Sequence, residues 1–317
     1  MEIDVADTSE THYAGPQPGD VHKEIGNMTS GLAARGRRFA VVTTCNAAGY
    51  EAYGQRMVET FDRHWPAEVP LLLYCEGFAP RPPAGRIVVR DLIESSPELA
   101  AFKHRHADNP LAHGLTRRVR FRLSYDLAKL RFKLGEKRWG EGYRWNAVRF
   151  AHKSFAVFHA AATTDADVLI WIDADTRFFA DVSREEIEGF VPPDCFVGYL
   201  RRRIHSECGF VAYNLRHSAT RGMLAEFERL YTRDEMFREY EFHDSFLFDL
   251  VRKQTERRGH KSFDIAGGLG LKVPHVLINS RLGRFMDHLK GGRKEEGRSR
   301  VDDLVLHREE AYWRESG

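Results

Sequence analysis

The sequence predicts an α/β domain whose central sheet is mostly parallel and flanked by helices. Three observations carry this expectation. Residues 168–172, Val-Leu-Ile-Trp-Ile, form an unbroken apolar run, the pattern of a strand buried on both faces in the middle of a parallel sheet. The run stops at Asp173-Ala-Asp175, which puts two carboxylates at the strand's carboxyl edge, where open α/β sheets bind ligands. The first part of the chain also reads strand, helix, strand, which implies a right-handed parallel crossover.

The elements follow in order. Residues 1–36 have mixed charge, carry Gly-Pro-Gln-Pro-Gly at 15–19 and lack the basic-then-apolar order of a signal peptide; they are expected to be a flexible extension. Phe39–Cys45 is the first strand, 46–49 a loop, and 50–64 a helix with Met57, Val58 and Phe61 on its apolar side. Val69–Cys75 and Arg86–Arg90 read as the second and third strands. The charged, aromatic stretch 91–145 is expected to form helices and loops over the acceptor side. A helix over 146–162 places Ala151, Phe155, Phe158 and Ala162 on a buried stripe, with Arg149 and Lys153 on roughly the opposite face, where plain solvation is the simpler expectation. After the Asp-Ala-Asp turn come strands at 195–200 and 209–214 and helices near 216–231 and 242–253.

Composition excludes several classes. The 48 basic and 46 acidic side chains nearly cancel, so nothing points to a nucleic-acid partner. Cys45, Cys75, Cys195 and Cys208 are widely spaced without a CxxC pair, which indicates neither a zinc site nor a disulfide framework. A reducing, cytoplasmic setting is the default. No stretch approaches the roughly 18 apolar residues that span a bilayer, so any membrane role would be peripheral.

Chemistry concentrates at two places. Carboxylates placed like Asp173 and Asp175 suit Mg²⁺ or Mn²⁺, which can hold a diphosphate. Residues 280–300 carry seven Lys/Arg against three Asp/Glu, with Gly283, Gly291, Gly292 and Gly297. Basic side chains neutralise phosphate, and glycines ease close backbone approach. Together these segments resemble the metal-dependent glycosyltransferases of the GT-A fold. Asp173-Ala-Asp175 matches that fold's DxD motif, and His288-Leu-Lys-Gly291-Gly-Arg-Lys294, about 110 residues on, matches the HxxGxxK signature of glycosyltransferase family 8. Beyond Lys294 the chain reads Glu295-Glu296-Gly297, where that family usually has Pro-Trp.

The resemblance covers approximately residues 38–300 and implies a single GT-A domain over 37–317. Its donor half would lie at about 37–180, its acceptor half at about 181–280, and its metal and diphosphate segment at 281–300. It implies Mn²⁺ or Mg²⁺ held by Asp173, Asp175 and His288, with the Gly291 backbone and Lys294 on the donor diphosphate. Lys153, or Arg149 in its place, is the basic residue presented to the donor. Thr43, Thr44 and Asn46 follow the first strand, where such enzymes bind the nucleoside, and Glu76 is a candidate for base or ribose. Glu207-Cys-Gly-Phe-Val-Ala-Tyr-Asn214 resembles the segment lining the acceptor pocket, with Glu207 in place of Asn; the alternative is a solvated strand-end acid. Asp244 lies where related transferases place an acid near the acceptor or the anomeric carbon, and is equally suited to the first turn of a helix. Asp244 or Glu207 would be the base if the reaction inverts; the motif match implies retention.

The implied partners are a nucleoside-diphosphate sugar, a UDP-sugar foremost, and a glycan, glycolipid or other hydroxyl acceptor, as in surface polysaccharide synthesis. The aromatic residues Phe121, Tyr125, Phe132, Trp139, Tyr143 and Trp145 are candidates for stacking on a sugar or for the core. Other classes stay open: a dehalogenase-type phosphatase, a sugar nucleotidyltransferase, and a GT-A-like domain that binds a sugar nucleotide or glycan without turnover.

Overall fold

The computed structural model describes residues 36–115, 120–126, 131–137 and 142–314, the segments 120–126 and 131–137 by backbone alone. The elements below belong to one compact unit, Arg38–Gly317. The expectation of a flexible extension over residues 1–36 falls almost wholly outside the described residues, as do Trp139 and the side chains of Phe121, Tyr125 and Phe132.

The central sheet has seven strands: β1 (Phe39–Asn46), β2 (Leu71–Glu76), β3 (Ile87–Asp91), β6 (Val168–Ile172), β8 (Cys195–Leu200), β9 (Glu207–Asn214) and β10 (Lys261–Asp264). Their order across the sheet is β10-β8-β9-β6-β1-β2-β3. β1 pairs in parallel with both β2 and β6, and β9 alone runs against its neighbours β6 and β8. Its direction has a simple cause. Only residues 201–206 separate β8 from β9, too few for the crossover that a parallel neighbour needs. The sheet is mostly parallel, as the apolar runs predict.

A hairpin of β4 (Arg120–Asp126) and β5 (Arg131–Lys137) lies apart from this sheet, in a stretch read from sequence as helices and loops. Its strands do alternate in sequence, Arg-Phe-Arg-Leu-Ser-Tyr-Asp and Arg-Phe-Lys-Leu-Gly-Glu-Lys, the period of a strand. A second two-stranded sheet pairs β7 (Thr176–Phe178) with β11 (Met286–His288).

Among the described residues, five helices have eight residues or more: α1 (Gln55–His64), α2 (Pro97–Arg105), α3 (Ala147–Thr163), α4 (Ser218–Thr232) and α5 (Asp244–Arg257). Period-2 alternation in β1 and β6 divides their side chains between two cores. Ala40, Val42, Leu169 and Trp171 pack with Ala151, Phe155 and Phe158 of α3 and with α4 and α5. Val41, Cys45, Val168, Ile170 and Ile172 pack on the other face with Met57, Val58 and Phe61 of α1 and with Leu282 and Met286 from the last part of the chain. All four cysteines are buried and free.

Residues 46–49, read as a loop, instead start a helix. Asn46 caps it, accepting the Gly49 N–H at 2.8 Å, and the chain turns helically over Ala47–Gly49 and a π-type stretch, Tyr50–Gly54, before α1. Asn is among the strongest N-cap residues because its side-chain oxygen satisfies an otherwise orphaned donor.

Strand order positions the site. Chain connections run from β1 outward through β2 to β3, then return to place β6 on the other side of β1. The carboxyl ends of β1 and β6 therefore flank the point where the sheet reverses its winding, the place where such sheets open a crevice for ligands.

Candidate active site

The reversal point holds a cavity of about 340 Å³ lined by Thr44, Cys45, Asn46 and Tyr53 from the β1 side, Glu76 from β2, Arg149, Phe150, His152 and Lys153 from α3, Trp171 to Asp175 (without Ile172) from β6 and its turn, and Lys294. A cavity of this size matches a small-molecule site.

Asp173 and Asp175 stand on the turn between β6 and β7. The β7–β11 pairing sets His288 opposite Thr176, and the Leu289 N–H donates to the Asp175 carbonyl at 2.9 Å. His288 Nε2 consequently lies 3.1 Å from Asp175 Oδ1 and 3.5 Å from Asp173 Oδ2, with the three donor atoms all within 4.8 Å of one another. The buried carboxylate of Asp287 fastens the segment beyond the motif to β11: it accepts the Ser299 N–H and hydroxyl, both at 2.6 Å, and the Tyr312 hydroxyl at 2.8 Å.

The remaining carboxylate oxygens are held from outside. Asp173 Oδ1 accepts the Trp171 indole N–H at 2.7 Å and the Lys153 ammonium at 2.9 Å. Asp175 Oδ2 takes Lys294 Nζ at 2.8 Å, and that ammonium also lies 4.6 Å from the centre of the Tyr53 ring. Each acid thus turns one oxygen to a lysine and the other to His288. Burial works against the charged forms, yet the ion pairs outweigh it. Asp173 and Asp175 are held below the usual carboxylate range by Lys153, His288 and Lys294, and the His288 imidazole is raised to about 10 by the two aspartates. A protonated imidazole occupies the electrostatic role that a cation between the carboxylates would take over. Two carboxylates and one imidazole, converging and anchored from behind, fit a Mn²⁺- or Mg²⁺-like ion.

His288 depends on Gly209 of β9. A Cβ there would lie 2.6 Å from His288 Cε1 and 2.8 Å from Nδ1. Gly209→Ala is therefore expected to displace the ring and weaken Mn²⁺ binding by at least about tenfold, the scale seen when partners that orient ligands are lost. Titration calorimetry on the folded variant checks this, and unchanged affinity would remove His288 from the ligand set.

Lys153 departs from the solvated face expected of it. It is largely buried, bridging Asp173 to Asp244 Oδ2 at 2.8 Å and lying 4.8 Å from the Trp171 ring centre. Its charge is spent on holding two acids, whereas Arg149 is exposed at the cavity wall without an ion-pair partner among the described residues. Glu76 lines the cavity and is held by Lys103 and by His152 Nε2 at 2.7 Å. Two expected donor residues lie elsewhere. Thr43 points into the core beside Val41 and Cys45, fully buried, because strand alternation sends Thr44 and Thr43 to opposite faces. Gly291 does not line the cavity; its φ of +60° forms the turn into the Arg293–Glu296 helix that carries Lys294.

A second cavity, of about 540 Å³, adjoins the first, with Phe150 lining both. Asp244, in the first turn of α5, and Glu207, at the start of β9, line it along with Arg144, Arg202, Arg203, Lys272 and Lys290. Glu207 is buried rather than a solvated strand-end acid. It pairs with Lys290 and, at 3.1 Å, with Arg202, and its Oε1 is 3.9 Å from His288 Nδ1. Burial raises its pKa, but Lys290 and His288 prevail and bring it to about 2. Such a weakly basic carboxylate is unsuited to general-base work near neutrality; its position suits it to steadying His288 and Lys290. Tyr143 lines this cavity, while Trp145 is buried and donates to the Tyr240 carbonyl.

Sequence reasoning missed Trp171, Tyr53, His152, Lys103, Lys290 and Arg202. Trp171 carried a signal, since a tryptophan at a strand end needs a partner for its N–H. The others meet the site only through long-range packing.

No family model and no curated protein matches this chain. Among solved structures, it is similar to the apo form of the glycosyltransferase GlyE of Streptococcus pneumoniae TIGR4, with 11% identity over 72% of this chain and 45% of that chain and a TM-score of 0.39. It is also similar to the apo form of mouse xyloside xylosyltransferase 1, with 10% identity over 71% of this chain and 84% of that chain and a TM-score of 0.41. The match takes in less than half the length of the pneumococcal protein.

Proposed function

We propose that the protein is a metal-dependent glycosyltransferase of the GT-A type that moves a sugar from a nucleoside-diphosphate sugar, a UDP-sugar foremost, to an acceptor hydroxyl. The observation that carries this reading is the convergence of Asp173, Asp175 and His288 within 4.8 Å at the sheet's reversal point, where both aspartates line the first cavity. A Mn²⁺ or Mg²⁺ ion held by these three residues would supply Lewis-acid stabilisation to a leaving diphosphate.

The chain's own groups divide the remaining work. Lys294, beside Asp175, and the exposed Arg149 offer preorganised positive charge to phosphate oxygens. Asn46, Thr44 and Glu76 also line the first cavity, which suits base and ribose. Lys153 holds Asp173 and Asp244 in fixed relation, so the metal-ligating and acceptor-side acids move as one unit. Asp244 lies on the wall of the second cavity, suited to orienting an acceptor hydroxyl or to stabilising positive charge at the sugar carbon. With Glu207 committed to Lys290, Asp244 is the candidate base if the reaction inverts; the HxxGxxK match favours retention. No helix among the described residues is long and apolar enough to cross a membrane.

The test is release of nucleoside diphosphate from a panel of sugar nucleotides with Mn²⁺ and with chelator. Turnover of one donor that stops on chelation supports the reading. Tight donor binding without turnover, with every acceptor class supplied, would favour a sugar-nucleotide-binding domain.

A further inference from the structure

A second cluster of metal-ligating side chains lies outside the Asp173–Asp175–His288 site, on the wall of the second cavity. His205 sits on the loop between β8 and β9; Glu241 and His243 lie on the segment leading into α5. Their donor atoms are all within 4.8 Å of one another. Glu241 Oε2 is 3.1 Å from His205 Nε2 and 2.8 Å from His243 Nε2. Glu241 and His243 are buried, His205 is half-buried, and both histidines line the cavity. The other oxygen of Glu241 accepts Arg144 Nη1 at 3.0 Å, which fixes the carboxylate with Oε2 facing the imidazoles.

We propose that His205, Glu241 and His243 form a second divalent-ion site, selective for zinc or a similar borderline-soft transition ion. Donor chemistry separates it from the first site: two imidazoles and one carboxylate suit Zn²⁺, whereas a carboxylate-dominated set suits Mn²⁺ or Mg²⁺. Ring geometry agrees. Two imidazoles bound through Nε2 to one tetrahedral ion have centroids about 5.2 Å apart, given Zn–N bonds of about 2.05 Å; here the rings of His205 and His243 are 4.9 Å apart with planes at 75°. Donor atoms on such an ion lie about 3.4 Å apart, so the observed spacings need to open by only a few tenths of an ångström. Arg144 plays the part of the outer partner that orients a ligating carboxylate. Three protein ligands leave a fourth position open, the pattern of a site that binds a water or a ligand oxygen rather than a closed structural centre. Because both histidines line the cavity, that position is accessible from the space where Arg202, Arg203 and Lys272 also gather.

The experiment is Zn²⁺ titration calorimetry on the chelator-treated full-length chain, with Co²⁺ absorption reporting tetrahedral coordination. Two variants separate the sites: His205→Ala, at a half-exposed loop position, and Asp175→Asn. The proposal expects one zinc equivalent that survives Asp175→Asn and is weakened at least about tenfold by His205→Ala, since loss of a ligand exceeds loss of an outer partner. The tetrahedral Co²⁺ band should vanish with it. Absence of zinc binding, binding unchanged in His205→Ala, or a sole equivalent lost in Asp175→Asn would each overturn it. Zinc at His205 without any Mn²⁺-dependent nucleotide binding would leave this inference standing while the transferase reading falls.

Discussion

Asp175→Asn is expected to lower Mn²⁺-dependent turnover of a sugar nucleotide by at least about 10²–10³-fold, equivalent to roughly 3–4 kcal/mol of transition-state stabilisation. The carboxylate has two functions that an amide cannot fill. Its Oδ1 faces His288 at 3.1 Å across the candidate metal position, and its Oδ2 holds Lys294 at 2.8 Å. The amide is nearly isosteric, so the fold should persist, and the loss should appear in kcat/KM with the melting temperature of the nucleotide-free protein little changed. Near-wild-type turnover would remove Asp175 from the site.

Lys153→Met is expected to damage both stability and activity. The methionine preserves the stem but leaves Asp173 and Asp244, each within 2.9 Å of the present ammonium, without their shared counter-ion. Breaking a buried ion pair by removing one partner costs about 3–5 kcal/mol. For a unit of this size that lowers the melting temperature by on the order of 10 °C. Adding Asp244→Asn should recover part of the loss, because it removes one uncompensated charge, and the double-mutant cycle measures the coupling. If Lys153→Met melts like the wild type, Lys153 does not bridge the two acids in solution.

The fold and the two segments that converge at the candidate site could be read from sequence, for a physical reason. β6 and the greater part of β1 (Phe39–Val42) and β2 (Leu71–Cys75) are continuous apolar runs because they are buried on both faces, so their burial pattern is written locally. The Asp173-Ala-Asp175 turn and the His288–Lys294 segment are likewise contiguous, and β7–β11 pairing joins them. What stayed hidden depends on tertiary placement. Lys153 reads as a surface lysine, since the two acids that bury it come from β6 and α5. Glu207 reads as a strand-end acid until Lys290, 83 residues away, reaches it. Thr43 and Thr44 are indistinguishable in sequence, and only the register of β1 decides which faces the cavity. The β4–β5 hairpin is the opposite case, because its alternation was present locally but obscured by its many charges.

The most direct test of the central claim is a thermal-shift screen of nucleoside diphosphates and their sugars, each with and without Mn²⁺. Whatever binds the native state stabilises it by mass action, by about 2.7 kcal/mol at a hundredfold excess over Kd, and so raises the melting temperature. The account predicts a shift that requires both Mn²⁺ and one class of nucleotide and disappears in Asp175→Asn. A nucleotide shift indifferent to Mn²⁺, or no shift with any sugar nucleotide, would contradict it.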